Sequence, residues 1–96
     1  MPSYDLTEAA AADIEGIARH STQQWGFPRA EAYVLALHRA FELLAAFPDT
    51  GRDVGELRPG YLRFEHERHS IFYRKTDTGI LVVRVLHQRM QATRHL

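Results

Sequence analysis

The sequence contains no cysteine, and only one of its twelve basic residues is a lysine. Without cysteine there is no disulfide framework, no thiolate zinc site and no cysteine nucleophile. Glycine and proline are scarce, with six and four residues, and they fall at joints between patterned segments instead of forming a linker. No internal repeat interrupts the chain. A length of 96 residues therefore predicts one domain, covering residues 1–96.

Long apolar runs are also missing. No stretch approaches the roughly 18 consecutive apolar residues of a membrane span, and the N-terminal MPSYDLTEAA lacks the basic and apolar regions of a signal peptide. These absences predict a cytoplasmic protein with no membrane partner. The apolar fraction of 45% is nevertheless enough for a packed core, which excludes a wholly disordered chain.

Charge is balanced over the whole chain but not along it. Twelve bases equal twelve acids, which argues against general affinity for nucleic acid. Residues 1–57 carry four bases and nine acids, whereas residues 58–96 carry eight bases, three acids and four of the six histidines. We therefore expect the two halves to present faces of different charge.

The first half of the chain has helical periodicity. Residues 3–6 can form a short opening strand, after which Thr7 is placed to cap a helix that ends at Gly26. Pro28 suits the first turn of a second helix, and the short joint implies an antiparallel hairpin. The second helix has an apolar stripe wide enough to predict burial against both the first helix and a sheet. The stripe consists of Tyr33, Val34, Leu35, Leu37, Phe41, Leu43, Leu44 and Phe47.

The second half changes to strand periodicity. Residues 49–60 have the composition of a loop, with three glycines and a proline. Aromatic and β-branched residues then fill 61–65, 70–76 and 80–87, and residues 77–79 (Asp-Thr-Gly) form a hairpin turn. The order of strand, two helices and three strands predicts an α+β domain, with the helix pair on one face of a largely antiparallel sheet.

Histidines and acids are present among these strands, but no catalytic motif joins them. His66 and His69 lie three apart, which matches no tight zinc pattern, so we expect neither a metal nor another cofactor. Glu65, Glu67, His69 and His87 are candidates for acid–base chemistry on adjacent strands. Glu65 and His66, however, are neighbours on a strand and must point to opposite faces.

Arginine outnumbers lysine eleven to one, and seven arginines follow Leu57. Interleaved with aromatic residues on a sheet, guanidinium groups can bind phosphates of RNA or carboxylates of a partner protein. A solvated strand face is the simpler alternative, and both interpretations stay open at this point. For Trp25, which closes the first helix, we expect a role as a core anchor between helix and sheet.

Six segments, taken together, resemble the ParE toxins. They are YDLTEAAAADIEGIARHSTQQWG, AEAYVLALHRAFELLAAFP, the GR pair at 51–52, LRPGY at 57–61, HSIFYR at 69–74 and the closing VRVLHQRMQATRHL. The resemblance covers almost the whole chain and implies the RelE/ParE-like fold. It also implies the toxin of a type II toxin–antitoxin module, which inhibits DNA gyrase by trapping it on cleaved DNA and is neutralised by a ParD antitoxin.

The RelE branch of the same superfamily supplies an alternative, because its members are ribosome-dependent mRNA endonucleases. In this sequence Ser70 stands where that branch often carries a catalytic arginine, and the segment from His87 to Met90 lacks the branch's tyrosine. Both departures favour a toxin that acts by binding and has no catalytic residues. His87 keeps the endonuclease alternative open, and an inactive toxin retained as a co-repressor is a third.

Two candidate surfaces follow from this reading. For the target, the basic sheet face and the C-terminal segment offer Arg63, Arg74, Arg84, His87 and Arg89. For the antitoxin, a groove between helix hairpin and sheet would offer apolar contacts. The apolar candidates are Leu62, Phe64, Phe72, Leu86 and Met90. DNA is expected to be a partner only indirectly, through gyrase or the antitoxin.

Overall fold

The computed structural model describes residues 2–96 and contains one five-stranded sheet with two helices. Its elements are β1 (Ser3–Leu6), α1 (Glu8–Trp25), α2 (Phe27–Ala46), β2 (Arg52–Asp53), β3 (Tyr61–His66), β4 (His69–Thr76) and β5 (Gly79–His87). The strand order is β1-β5-β4-β3-β2, with β1 parallel to β5 and every other pair antiparallel. This arrangement confirms the predicted α+β architecture.

The predicted helix boundaries depend on two residues that behave as expected. The Thr7 hydroxyl accepts the N–H of Ala10 at 3.0 Å and so caps the first turn of α1. Gly26 separates the helices with a φ of +86°, which favours glycine. Its N–H donates to the Thr22 carbonyl at 2.9 Å. The chain can therefore turn back at once into α2, which confirms the helix hairpin.

The main core lies between the helix pair and one face of the sheet, here called the inner sheet face. Its buried members are Ala10, Ile14, Ile17, Leu37, Ala40, Phe41, Leu44, Ala45, Ile71, Tyr73, Ile80, Val82 and Val85. The stripe on α2 is wider than this core can cover. Leu35, Leu43 and Phe47 remain 51%, 46% and 63% exposed, so the prediction of burial on two sides is wrong for these three.

A second, smaller core lies on the opposite face, here called the outer sheet face. Val54, Phe72 and Leu86 are buried there under partly buried side chains from the segment before β3, from the first residue of β3 and from the C-terminal end. Those covering side chains are Leu57, Tyr61, Ala92 and Leu96. Since β5 contributes to both cores, its nearly continuous apolar run is explained.

Residues 49–60, predicted to be a loop, contain more structure than their composition suggests. Pro48–Thr50 forms one turn of 3-10 helix, and the two-residue strand β2 pairs with β3. The Tyr73 hydroxyl joins this segment to the sheet, since it donates to the Pro48 carbonyl at 2.7 Å and accepts the Gly51 N–H at 2.8 Å. A two-residue strand is too short to show periodicity in a sequence.

A bulge in β5 changes which side chains face the helices. Phe72 pairs with Arg84 and Tyr73 with Val82, so Val83 has no cross-strand partner on β4. The edge of β5 continues beyond the end of β1 and is bound there by α1. The Asp13 carboxylate accepts the Val85 N–H at 2.9 Å, and the Val83 carbonyl accepts the hydroxyl of the Thr7 cap at 2.7 Å.

Candidate functional site

Strand alternation divides the predicted target-binding residues between the two faces of the sheet. Arg63 lies on the outer sheet face, where its guanidinium carbon is 5.3 Å from the centroid of the Phe72 ring. Arg74 follows Phe72 by two residues and shares that face. His87 pairs with His69 and lines a cavity against α1, on the inner sheet face. The predicted residues therefore do not form one continuous surface.

The Arg63 side chain belongs to a small polar network. Its guanidinium donates to the Glu65 carboxylate and, at 3.0 Å, to the Ser70 hydroxyl. The Ser70 hydroxyl in turn donates to Glu65 at about 2.9 Å. Ser70 is only 2% exposed, so a buried serine orients the Arg63–Glu65 pair. From the sequence, Ser70 was of interest only because it stands where the RelE branch often has an arginine. Its role in orienting the Arg63–Glu65 pair was not predicted.

Arg84 has a structural role. Its guanidinium donates twice to the Asp13 carboxylate, at 2.8 Å for both bonds, and once to the His95 carbonyl at 3.0 Å. The two side chains are 21% and 14% exposed. A bidentate pair at this depth holds α1, β5 and the C-terminal segment together. Few N–H donors of the Arg84 guanidinium therefore remain available to a target.

Two of the predicted arginines remain accessible. Arg74 is exposed beside Lys75 in a cavity of about 660 Å³, where Asp49 and Asp53 also lie. Arg89 is exposed after the end of β5, and its backbone N–H donates to Nδ1 of His87 at 3.2 Å. Their guanidinium groups are available to an anionic partner.

Most of the predicted antitoxin contacts are not on the surface. Phe72 and Leu86 are 1% and 2% exposed in the second core, while Leu62 and Phe64 are half-buried against the main core. Only Met90 presents a large exposed fraction, 42%. Apolar residues on these strands fill whichever core they face, and the sequence pattern did not reveal the segments that cover the second core.

The exposed apolar surface lies instead on α2. Phe27 is 64% exposed and Leu35 is 51% exposed. Both line a cavity of about 330 Å³ whose other wall includes Ala18 and Thr22 of α1. The groove therefore runs along the helix hairpin itself, and the surplus width of the α2 stripe was the sequence signal that could have located it.

A second cavity, of about 320 Å³ and here called the histidine cavity, opens between α1 and the ends of β4 and β5. His69 lies in its wall, with Nδ1 at 2.7 Å from the Tyr33 hydroxyl and its ring centroid 5.5 Å from that of His87. Burial, and then the neighbouring His87, lower the pKa of His69 to about 4. Burial, and then Glu67, raise the pKa of Tyr33.

These shifts determine what the histidine cavity offers chemically. At neutral pH His69 is uncharged and Tyr33 keeps its proton, so the Tyr33 hydroxyl can donate to Nδ1 of His69. The imidazole proton then lies on Nε2. The pair presents polar hydrogen-bonding groups on flat rings and carries no net charge.

Trp25 is not the core anchor predicted from the sequence. It is half-buried, lies outside both cores, and separates the histidine cavity from a neighbouring cavity of about 280 Å³. The guanidinium carbons of Arg29 and Arg68 lie 5.1 and 4.9 Å from its ring centroid. We call these three residues the Trp25 cluster. Arg68 comes from the β3–β4 turn, so no local sequence pattern could have shown the contact.

Within residues 2–96, no three histidine, aspartate or glutamate side chains are grouped so that they could hold a metal ion. Over the same residues, neither helix is long and apolar enough to cross a membrane.

Comparison with known families identifies one that matches most of the chain. The family model described as the ParE toxin of the type II toxin–antitoxin system parDE matches residues 4–92. Toxin ParE1 of Mycobacterium tuberculosis is 44% identical over 94 residues, which cover 97% of this chain and 96% of that protein. Toxin ParE1 of Caulobacter vibrioides is 38% identical over 96 residues, covering 100% and 99%.

A solved structure also shows the same fold. A chain described as the chromosomal ParDE TA system from P. aeruginosa superposes with a TM-score of 0.77 at 24% sequence identity. The match covers 91% of this chain and 96% of that one. At this identity the superposition shows the fold, and the sequence relatives show the family.

Proposed function

This chain belongs to the ParE family of toxins from type II toxin–antitoxin systems, and on that premise we propose that it inhibits DNA gyrase by binding and trapping the enzyme on cleaved DNA. Gyrase makes the DNA break itself. Such a toxin therefore needs only a surface that binds the cleaved state more tightly than the resealed state. No proton transfer by the toxin is required.

The position of Glu65 and the lowered pKa of His69 support binding over RNA cleavage. Glu65 lies on the outer sheet face and is held by Arg63 and Ser70. His69 and His87 line the histidine cavity on the inner sheet face. A general acid and a general base must both reach the reacting phosphate, and the sheet lies between Glu65 and the two histidines. Glu67 lies in the β3–β4 turn, outside the lining of that cavity. His69 shares the cavity with His87, but its pKa is lowered to about 4, so at neutral pH it is uncharged and a weak proton donor.

Of the five predicted target-binding residues, Arg74 and Arg89 are the best placed, because both are exposed and neither guanidinium is bound to a carboxylate within the described part of the chain. Arg63 and Arg84 are engaged in internal ion pairs, and we assign them to the fold.

The test is supercoiling by purified gyrase in the presence of the folded toxin, with linearised plasmid scored on the same gel. We expect loss of supercoiling together with accumulation of cleaved DNA. A double variant, Arg74→Glu with Arg89→Glu, should be at least about tenfold less potent, as expected from the loss of one or two charge-assisted contacts. The matched control reverses two exposed helix arginines, Arg19→Glu with Arg39→Glu, and should keep full potency.

Unimpaired supercoiling with a toxin that circular dichroism shows to be folded would contradict the gyrase proposal. Ribosome-dependent mRNA cleavage would then be examined next, with His87→Ala as the first variant. If the Arg74/Arg89 variant were as potent as the control, the gyrase contact would have to lie elsewhere on the toxin.

The neutralising partner is a ParD-type antitoxin, and its binding site is the groove between α1 and α2. The supporting observation is the exposure of Phe27 and Leu35 in one groove. An antitoxin segment that orders on binding can place apolar side chains there. The fold neighbour comes from a chromosomal ParDE system, which is consistent with such a pair.

A further inference from the structure

The Trp25 cluster brings two positive charges together from separate parts of the chain. Trp25 ends α1, Arg29 lies in the first turn of α2, and Arg68 lies in the turn between β3 and β4. Both guanidinium carbons are about 5 Å from the centroid of the indole ring, within the range of cation–π attraction. The ring therefore fixes the position of two cations that would otherwise repel each other.

Neither cation is neutralised within residues 2–96. Arg63 and Arg84 each hold a carboxylate, whereas the side chains of Arg29 and Arg68 form no ion pair and donate no hydrogen bond there. Glu67 lines the cavity of about 280 Å³ together with both arginines. Its carboxylate forms an ion pair with neither of them, and its Oε2 lies 3.7 Å from Nε2 of His66. An aromatic ring attracts a guanidinium but accepts few of its five N–H groups, so most donors stay available for an anion.

The histidine cavity beside the cluster is walled by flat rings. Trp25, Tyr33, His69 and His87 line it, and Ile17 contributes apolar surface. His69 is uncharged at neutral pH because its pKa is lowered to about 4, chiefly by burial. The His69 ring makes angles of 58° with the Tyr33 ring and 82° with the His87 ring. A planar heterocycle can therefore stack on the face of one ring and form hydrogen bonds with the edges of the others. A flexible carboxylate side chain would gain little from the ring faces.

We propose that the Trp25 cluster and the histidine cavity together bind single-stranded nucleic acid. One unpaired base enters the cavity among the rings, and Arg29 and Arg68 bind the flanking phosphates. This departs from the expectation that DNA is reached only indirectly. Because the net charge is zero, the chain as a whole does not attract duplex DNA. Affinity for nucleic acid is therefore expected only at this site.

The role of this site in gyrase inhibition rests on the proposed function, but the binding of single-stranded nucleic acid does not. A broken strand offers unpaired bases that an intact duplex does not. Contact with such a strand would give the toxin its preference for the cleaved state, since a ligand shifts an equilibrium only by its differential affinity.

Binding at this site can be followed by intrinsic fluorescence, because Trp25 is the one tryptophan of the protein. An oligothymidylate of about ten nucleotides, within the usual span of single-strand sites, should quench the Trp25 fluorescence saturably. For two phosphate contacts the logarithm of the binding constant should fall with the logarithm of salt concentration with a slope of about −1.4.

Variants separate this site from general charge. Arg29→Gln and Arg68→Gln should each weaken binding several-fold and reduce the slope by about 0.7. The matched control Arg19→Gln, on the exposed side of α1, should leave the affinity and the salt slope unchanged. Trp25→Leu, followed by anisotropy of a labelled oligothymidylate, should lower the affinity about tenfold through the lost stacking surface.

Three results would overturn the proposal. Quenching by polyglutamate without quenching by oligothymidylate would make this an acidic-peptide site. Equal affinity for a duplex of the same length would exclude entry of an unpaired base. Absence of any quenching would exclude a nucleic-acid site at Trp25. Since gyrase is absent from these titrations, inhibited gyrase with no oligonucleotide binding would overturn this inference alone, and the reverse result would overturn the gyrase proposal alone.

Discussion

Arginine has three different roles in this fold, and the neighbours of each guanidinium decide which one it has. Arg84 is held at two nitrogen atoms by Asp13 and joins three segments. Arg63 shares a carboxylate with a buried serine. Arg68 has its guanidinium carbon 4.9 Å from the Trp25 ring centroid and forms no ion pair within residues 2–96. The same residue type thus supports structure in one place and recognition in another.

Removal of the Asp13 carboxylate is expected to destabilise the folded protein. Asp13→Ala leaves the Arg84 guanidinium and the Val85 N–H without their partner. We expect the free energy of unfolding to fall by about 2–4 kcal/mol, because groups that folding withdraws from water would lose their hydrogen bonds. Urea denaturation followed by circular dichroism measures this.

The control for that measurement is Asp49→Ala, which removes the partner of Lys75 in a pair that is largely exposed. Its urea midpoint should barely change, since exposed ion pairs contribute little. Equal midpoints for the two variants would show that the Asp13 network does not stabilise the fold.

The lowered pKa of His69 makes stability depend on pH. The unfolded chain takes up a proton at this histidine near its ordinary pKa of 6.5, while the folded protein resists protonation until about 4. Between these values the unfolded state binds more protons, so the free energy of unfolding should decrease as pH falls from about 6.5 to 4.

His69→Gln removes this titration and should flatten the pH dependence in that window, measured by urea midpoints at several pH values. His95→Gln, in the C-terminal segment, should retain the wild-type dependence. A His69→Gln variant with the wild-type slope would mean that other groups control the acid response.

Among the elements, the parallel pair of β1 and β5 depends on one close approach of two backbones. Gly79 begins β5 and pairs with Ser3 of β1. A Cβ atom at Gly79 would lie 1.8 Å from the Ser3 carbonyl oxygen. No side chain fits there, so the glycine of the hairpin turn also permits the only parallel pairing recorded for residues 2–96.

Gly79→Ala should therefore lower the free energy of unfolding by about 2–4 kcal/mol, through steric strain and loss of the β1 pairing. Gly16→Ala is the matched control. Nothing lies within 4 Å of a Cβ atom built there, in the interior of α1. That substitution should stabilise the protein by about 0.5–1 kcal/mol. Thermal melts of both variants check the signs, and destabilisation of similar size in both would contradict the steric explanation.

Element boundaries were predictable where local chemistry sets them. Thr7 and Gly26 define the ends of α1 through hydrogen bonds and a left-handed φ. The bulge opposite Phe72 was not predictable, because the Asp13 carboxylate that binds the strand next to it comes from a distant helix. The two-residue strand β2 depends likewise on its pairing with β3.

On the scale of the whole molecule, the basic half of the sequence does not form one basic face. Arg63 and Arg74 lie on the outer sheet face, whereas His87 lies on the inner one. Arg68, in the β3–β4 turn, joins Arg29 from the acidic half. Apolar surface is distributed separately, along the helix hairpin. The proposed antitoxin groove is thus separate from Arg74 and Arg89, the arginines proposed to contact the target.

This separation predicts how the antitoxin complex responds to salt. The groove that contains Phe27 and Leu35 has no arginine in its lining, so affinity for the cognate antitoxin should change little between low and high salt. Leu35→Glu should weaken the complex about tenfold to a hundredfold, because a charge would enter an apolar contact. Calorimetric titration measures both effects, and Leu62→Gln, on the half-buried strand β3, serves as the comparison.

A steep salt dependence, or an unchanged affinity in the Leu35→Glu variant, would contradict this placement of the antitoxin. The binding site would then lie closer to the arginines, and Met90 would be the first apolar residue to substitute there.

The sequence by itself determined the α+β class, the helix hairpin, the strand order along the chain and the family. Each of these depends on local periodicity, on caps and turns, or on motifs that stay together in the chain. Only the tertiary structure decided which arginines form ion pairs, that Phe72 and Leu86 are buried, and that the guanidinium groups of Arg29 and Arg68 both lie about 5 Å from the Trp25 ring centroid. These properties depend on residues that meet from distant segments, and a guanidinium or an aromatic ring acquires its role from the groups that fold against it.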